Sequence, residues 1–315
     1  MIQVSDLAKY FDGRRALGPV SFDIAAGETV GFLGLNGAGK TTVLRILACD
    51  LRPSGGSLVI GGVDAVENPH EVRKQVGFVP ENPPVYSDMT VGDYLRFAGR
   101  LRGMSAQDVE KRLPEVSATT HLEDAHDELC RNLSHGFRQR VGVAQAIMHR
   151  PKLLIFDEPT RGLDPVQIVE VRAMIRNLKQ AHTVLISSHI LPEISETCDR
   201  LLVLGEGTIV ASGTESQLST DLASARRSIV GVRTDRGTDD VVRCIRDVSS
   251  VTEVGLAGEE DGALLFQVVM SKDARAEVCR ALVTAGHDVV KLDRAQHKLE
   301  SIFLKLVKGG DVARH

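Results

Sequence analysis

The alternation of apolar and polar positions divides the chain into three stretches. From residue 1 to about 87, short strand-like runs alternate with turns: SFDIAAGETVGFLGL, SLVIGGVD and VGFVP, bounded by glycine and proline. From about Ser87 to Arg150 the period lengthens to that of a helix. In TVGDYLRFAGRLRG, Val91, Tyr94, Leu95, Ala98 and Leu101 recur at helical spacings, and Thr90 stands where an N-cap belongs. Strand character returns in KLLIFDEP, HTVLISSH and RLLVLGEGTIVASG. The runs KLLIF and TVLIS are apolar on both faces, which predicts strands buried between helices in a parallel sheet.

The last part, about 225 to 310, reads separately. RSIVGVRT predicts a strand and DDVVRCIRDV a helix. VTEVGLAG and ALLFQVVMS predict a hairpin across the turn at 258–262. DARAEVCRALVTAG predicts a helix, HDVVKLD a strand and KLESIFLKLVKG a closing helix. The order β-α-β-β-α-β-α is that of a small ferredoxin-like α+β module. SGTESQLSTDLASARR is the expected linker, giving a first domain over 1–220, with a helical part at about 88–150, and a second over 225–315.

The totals exclude several classes. A net charge of −4 offers no bulk basic field for nucleic acid or an anionic membrane. No apolar run approaches the roughly 18 residues of a membrane span. MIQVSDLAKYFDG carries charge early and has no apolar core, so no signal peptide is expected. The five cysteines (49, 130, 198, 244, 279) are scattered without a CxxC pair, which fits a reduced cytosolic chain with buried or incidental thiols. Tryptophan is absent, which weakens any base-stacking role.

The chemistry is concentrated in a few strings. Gly34-Leu35-Asn36-Gly37-Ala38-Gly39-Lys40-Thr41 fits G-x-x-x-x-G-K-[ST] between a strand candidate and a helix candidate. Glycines in such a loop let backbone N–H groups wrap phosphates at the positive end of the following helix. Lys40 is the group to reach the β- and γ-phosphates of ATP, the Thr41 hydroxyl to hold Mg²⁺, and Thr42 joins the binding loop. Downstream, LLIFDEP ends a hydrophobic strand in Asp157-Glu158, one carboxylate suited to the metal and the next to an attacking water. Of the ten histidines only His189, ending the SSH turn, is singled out. The other nine show no metal-ligand spacing.

Two further segments, Leu133-Ser134-His135-Gly136-Phe137 before a helix and Ser187-Ser188-His189 after the next strand, make residues 1 to about 220 resemble the nucleotide-binding subunits of ATP-binding cassette (ABC) transporters. The resemblance implies a P-loop NTPase core of RecA-like α/β type, with an antiparallel β subdomain and a helical subdomain. It implies that Ser134 and Gly136 contact ATP held by the P-loop of a second subunit. Asp157 would bind Mg²⁺ through water, Glu158 would polarise the attacking water, and His189 would contact the γ-phosphate. Gly162-Leu163-Asp164 resembles the loop that connects the two sites of the dimer. Phe11 best matches the aromatic that stacks on adenine, with Tyr10 as its rival. Three positions depart from the family pattern. Glu81 stands where a glutamine is usual and could still meet Mg²⁺ or water with an oxygen. His135 and Phe137 alter the signature, and Arg161 precedes the connecting loop.

The resemblance also implies partners: a second cassette, in a homodimer or with another chain, and an integral-membrane permease gripped near Glu81 and the 88–150 region. SDMTVGDYLRFAGRLRGM and LESIFLKLVKG resemble ABC-2 exporter subunits, and VPENPPVYSDMTV with LSHGFRQRVG is similar to gliding-motility-type ATPases. The expectation is an ATP-driven export subunit, peripheral on the cytoplasmic membrane face. The competing expectation is a soluble ABC ATPase, but neither sustained heptads nor a second P-loop is present.

Overall fold

The computed structural model describes residues 1–222, 226–260 and 262–294. These fall into two compact units divided at Glu215/Ser216.

The first unit holds two sheets. β1 (Ile2–Phe11), β2 (Arg14–Ile24), β4 (Gly55–Ile60) and β5 (Val63–Asp64) form an antiparallel sheet in the order β2-β1-β4-β5. β3 (Thr29–Leu33), β6 (Val76–Val79), β7 (Leu153–Asp157), β8 (Thr183–Ser188), β9 (Arg200–Gly205) and β10 (Thr208–Gly213) form the second, in the order β10-β9-β3-β8-β7-β6. Its pairs from β9 to β6 are parallel, and only β10 runs antiparallel, on β9. Every residue of β3, β7 and β8 is buried, as the two-faced apolar runs require.

α1 (Lys40–Leu47) returns from β3 and buries Val43, Leu44, Ile46 and Leu47. These share one core with Ile2, Leu7, Leu17 and Ile24 of the antiparallel sheet and Leu153, Ile155, Leu202 and Leu204 of the other. The Phe22 and Phe32 rings meet edge to face at 5.7 Å across that junction.

α2 (Pro69–Arg73) precedes β6. The helical stretch contains α3 (Val91–Leu101), α4 (Ala106–Thr120) and α5 (His135–Ile147). The Asp93 N–H donates to Thr90 Oγ1 at 3.1 Å, the predicted cap. Val91, Tyr94, Leu95 and Ala98 are buried, but Leu101, one turn on, is 73% exposed. α6 (Pro165–Leu178) follows β7 and α7 (Leu191–Ser195) follows β8.

β1 carries no clean alternation in sequence, and the structure gives the reason. Its register with β2 shifts at Val4/Leu7, Leu7/Lys9 and Lys9/Tyr10, and Asp6 adopts φ 50°. The expected linker carries a helix, α8 (Glu215–Leu222).

In the second unit, β11 (Arg226–Arg233), α9 (Thr238–Arg246), β12 (Val251–Glu260), β13 (Ala263–Met270), α10 (Arg275–Thr284) and β14 (Asp288–Arg294) form an antiparallel sheet in the order β12-β13-β11-β14 with two helices. This is the ferredoxin-like order, with Val241, Ile245, Val278 and Leu282 of the helices packed on Val230, Val232, Phe266 and Val268. The predicted closing helix KLESIFLKLVKG lies outside the described residues.

One half-buried imidazole, two residues past the end of α5, is tied to the sheet: His149 Nε2–H donates to the Val76 carbonyl at 3.1 Å. Burial pushes this ring down to about 4, and the Arg102 guanidinium adds to the effect. Its unfolded value is near 6.5, so the unfolded chain binds the proton more readily. The stability it lends is therefore present above about pH 6.5 and lost as pH falls toward 4. Thermal midpoints should drop across that window, and His149→Gln should shrink the drop. Identical pH profiles for the two proteins would contradict this.

Candidate active site

Parallel register brings three strand ends together. Leu33 of β3 pairs with Ser188 of β8, and Asp157 of β7 pairs with Ser187. The P-loop, the acidic pair and the SSH turn therefore leave adjacent strands at their carboxyl ends, where α/β sheets place their ligands. Gly39 caps α1 with φ 98°, a conformation that L side chains strain to adopt. That turn aims Lys40 back into the loop. Its ammonium donates to the carbonyls of Gly34 at 2.7 Å and Leu35 at 3.3 Å, and lies 3.2 Å from Glu158 Oε1.

Glu158 is the hub. Its other oxygen, Oε2, accepts from His189 Nδ1 at 2.8 Å. Both Lys40 and Glu158 side chains are only 6% exposed, so each charge requires the other. Glu158 also adopts φ 48°, a strained backbone for a non-glycine residue. Ser187 holds that turn: the Glu158 N–H donates to Ser187 Oγ at 2.9 Å, and Ser187 Oγ donates to Asp157 Oδ1 at 2.6 Å. Ser187 was given no role from sequence, yet a pair of serines ending a fully buried strand is itself a signal.

A cavity of about 720 Å³ opens over these groups. Asn36, Gly37, Gly39, Lys40, Thr41 and Thr42 line it from the P-loop side, with Glu81, Glu158 and Arg161 opposite. Arg15, Ala16, Glu206 and Gly207 complete the wall, four residues that the sequence pattern did not mark. Ala38 is buried, and Asp157 is 1% exposed directly behind Glu158. Phe11 and Tyr10 do not line the cavity. Both are 46% exposed, and the Lys9 ammonium sits 5.1 Å from the Phe11 ring.

Ser134 and Gly136 do not line the cavity either. Ser134 caps α5, accepting from the Phe137 N–H at 3.3 Å. Gly136 is pressed against Gln167 of α6, where a Cβ would stand 2.7 Å from the side-chain amide. Asp164 caps α6 by accepting from the N–H groups of Val166 and Gln167.

The three departures from the family pattern meet in space. Arg161 Nη1 lies 2.5 Å from Glu81 Oε1, and the Arg161 carbonyl accepts from His135 Nε2 at 3.0 Å. The added negative charge of Glu81 is thus answered by Arg161 at the cavity wall, and the same residue holds the substituted signature.

A phosphate-binding loop opening a helix, a buried lysine, an acidic pair and a histidine at neighbouring strand ends define a P-loop ATPase. The ABC transporter family profile matches residues 17–161. The chain is 36% identical to the ABC transporter ATP-binding protein NatA of Bacillus subtilis, over 70% of this chain and 95% of that one. It is 29% identical to the bacitracin transport ATP-binding protein BcrA of Bacillus licheniformis, over 99% of each. A solved ATP-binding subunit of an ABC transporter superposes with a TM-score of 0.65 at 31% identity, covering 71% of this chain and 93% of that one. The chain belongs to the ATP-binding subunits of ABC transporters. It binds and hydrolyses ATP in the service of a membrane transport system, and the comparisons lend nothing to a non-transport ATPase.

If Arg161 neutralises Glu81 beside the phosphates, Arg161→Thr should weaken ATP binding about three- to fivefold, or ~1 kcal/mol for a half-exposed pair. Adding Glu81→Gln should restore it. Equal nucleotide affinity in the single and double variants would show the pair to be electrostatically idle.

Proposed function

We propose that this chain is the energy-supplying subunit of an ABC-2-type export system, peripheral on the cytoplasmic membrane face and paired with a second cassette. The observation that carries the catalytic reading is the bridge Lys40–Glu158–His189, in which one buried carboxylate touches both the phosphate-reaching lysine and the histidine.

In this reading ATP lies in the cavity with its phosphates on the N–H groups of the P-loop and on Lys40. Glu158 takes the proton of a water whose oxygen attacks the γ-phosphorus. The bond to the β–γ bridging oxygen breaks, leaving ADP and phosphate. His189, held on Glu158 Oε2, orients that water. The site also suits Mg²⁺: Asp157 and Thr41 offer hard oxygen donors, and Ser187 fixes one Asp157 oxygen while the other keeps its acceptor capacity. The ion would supply charge neutralisation on the β- and γ-phosphates. Glu81, paired with Arg161, stands where it could meet metal or water.

Ser134 and Gly136 would complete the site of a second subunit, a trans arrangement supported by neither of them lining this chain's own cavity. For adenine, Phe11 remains the proposed aromatic, sitting at the end of the strand whose hairpin partner leads into Arg15 and Ala16. A permease surface is supported by exposed apolar groups on and just before α3: Tyr86, Phe97 and Leu101 are 56%, 37% and 73% exposed, and the Tyr86 and Phe97 rings pack edge to face at 5.5 Å. No helix among the described residues is long and apolar enough to cross a membrane. In this reading a separate membrane subunit supplies the path.

Glu158→Gln should bind ATP normally, accumulate as a dimer in its presence, and turn over at least about 10²-fold more slowly. Wild-type hydrolysis by that variant would remove Glu158 from the base role. The full chain should co-purify with a polytopic membrane protein, and recovery only with ribosomes or DNA would sink the transport reading.

A further inference from the structure

In the second unit, α9 and β14 bring together three side chains that the sequence keeps apart. Asp240 and Cys244 lie one helical turn apart on α9, and His287 immediately precedes β14. His287 Nε2 is 3.3 Å from Asp240 Oδ2 and 3.9 Å from Cys244 Sγ, and the donor atoms all lie within 4.8 Å of one another. An ion-pair reading accounts for only half of this. A single N–H can serve the carboxylate, but the sulfur converges on the same nitrogen.

A tetrahedral cation satisfies both. With bonds of about 2.0–2.1 Å to nitrogen and oxygen and about 2.3 Å to sulfur, adjacent donors stand roughly 3.3 Å (N to O) and roughly 3.6 Å (N to S) apart. The observed spacings are close to these edges. The surroundings are also those of a ligand set. His287 Nδ1 is 2.8 Å from Thr234 Oγ1, which fixes the ring, and Arg243 occupies the other oxygen of Asp240, leaving Oδ2 pointed inward. The His287 side chain is fully buried, while Asp240 is 24% exposed and gives an entry path for the ion.

We propose that Asp240, Cys244 and His287 bind a Zn²⁺-like divalent cation, with water as fourth ligand, and that the ion ties α9 to the edge strand β14. The sulfur–nitrogen–oxygen set selects a borderline-soft metal over Mg²⁺ or Ca²⁺. On binding, the Cys244 S–H bond breaks, a sulfur–metal bond forms and the proton passes to solvent. Thiolate and carboxylate then balance the two positive charges. These three residues belong to the second unit, none of them lines the ATP cavity, and the site does not rest on the transport reading.

The test uses the full chain, stripped with chelator and titrated with Co²⁺ as a spectroscopic probe, then with Zn²⁺. One equivalent of Co²⁺ should give the visible bands of a tetrahedral ion and a near-ultraviolet thiolate-to-cobalt band, both displaced by Zn²⁺. A Co²⁺ ion held by the oxygens of the P-loop would lack the thiolate band. Cys244→Ser should abolish that band while leaving the metal-free melting temperature and the Mg-ATPase rate unchanged. Asp240→Asn should weaken Co²⁺ binding at least about tenfold, and Cys279→Ser should change neither. Absence of the thiolate band in the wild-type protein, or its survival in Cys244→Ser, would overturn the proposal.

Discussion

The first unit is organised around one buried carboxylate. Glu158 stands at the end of a strand with no exposed residue, on a backbone turn with φ 48°, and its two oxygens touch a lysine and a histidine from different segments. A buried negative charge is tolerable only if paired, and a strained backbone only if held. Both conditions are met by neighbours that the parallel sheet delivers: Lys40 from the turn after β3, Ser187 and His189 from the end of β8. The strand order β3-β8-β7 is therefore a chemical requirement as much as an architectural one. Displacing any of the three strands by one residue would separate the charges.

Around that centre the chain ties its loops together with residues that depart from its relatives' pattern. Glu81, Arg161 and His135 belong to three segments, each of which taken singly looks like a local oddity. In space they form one connected path, from the segment after β6, through the loop before α6, to the start of α5. The same path explains why an extra carboxylate is tolerated beside a site built for phosphate: Arg161 supplies the opposing charge at 2.5 Å. It also gives the proposed permease-facing segment a direct physical connection to the residues proposed to close a partner's site.

Part of this was legible in the sequence because the physics was local. A glycine-rich loop between a strand and a helix needs only nearby residues, and Gly39, Lys40 and Thr41 are placed on the cavity wall as that pattern implies. The buried strands announced themselves through uninterrupted apolar runs, and Thr90 through its place before a helical period. β1 was hidden because three register shifts break its alternation, and α8 because its residues favour turns and helices alike. Arg15, Glu206 and Gly207 line the cavity without any motif, since nothing local distinguishes a wall residue from a solvated one.

By itself the sequence determined the class of chemistry, the P-loop and its carboxylates, and the order of the described elements of the second unit. Those features depend on residue type and short spacing, which a linear chain carries openly. Only the tertiary structure decided that Glu158 bridges Lys40 and His189, that Ser187 braces both acidic residues, and that three scattered departures form one path. It alone decided that His287, read from sequence as a histidine without ligand spacing, meets Asp240 and Cys244. Contacts of this kind join residues tens to more than a hundred positions apart. The register of strands and the packing of helices fix them, and neither is written in any single stretch of the chain.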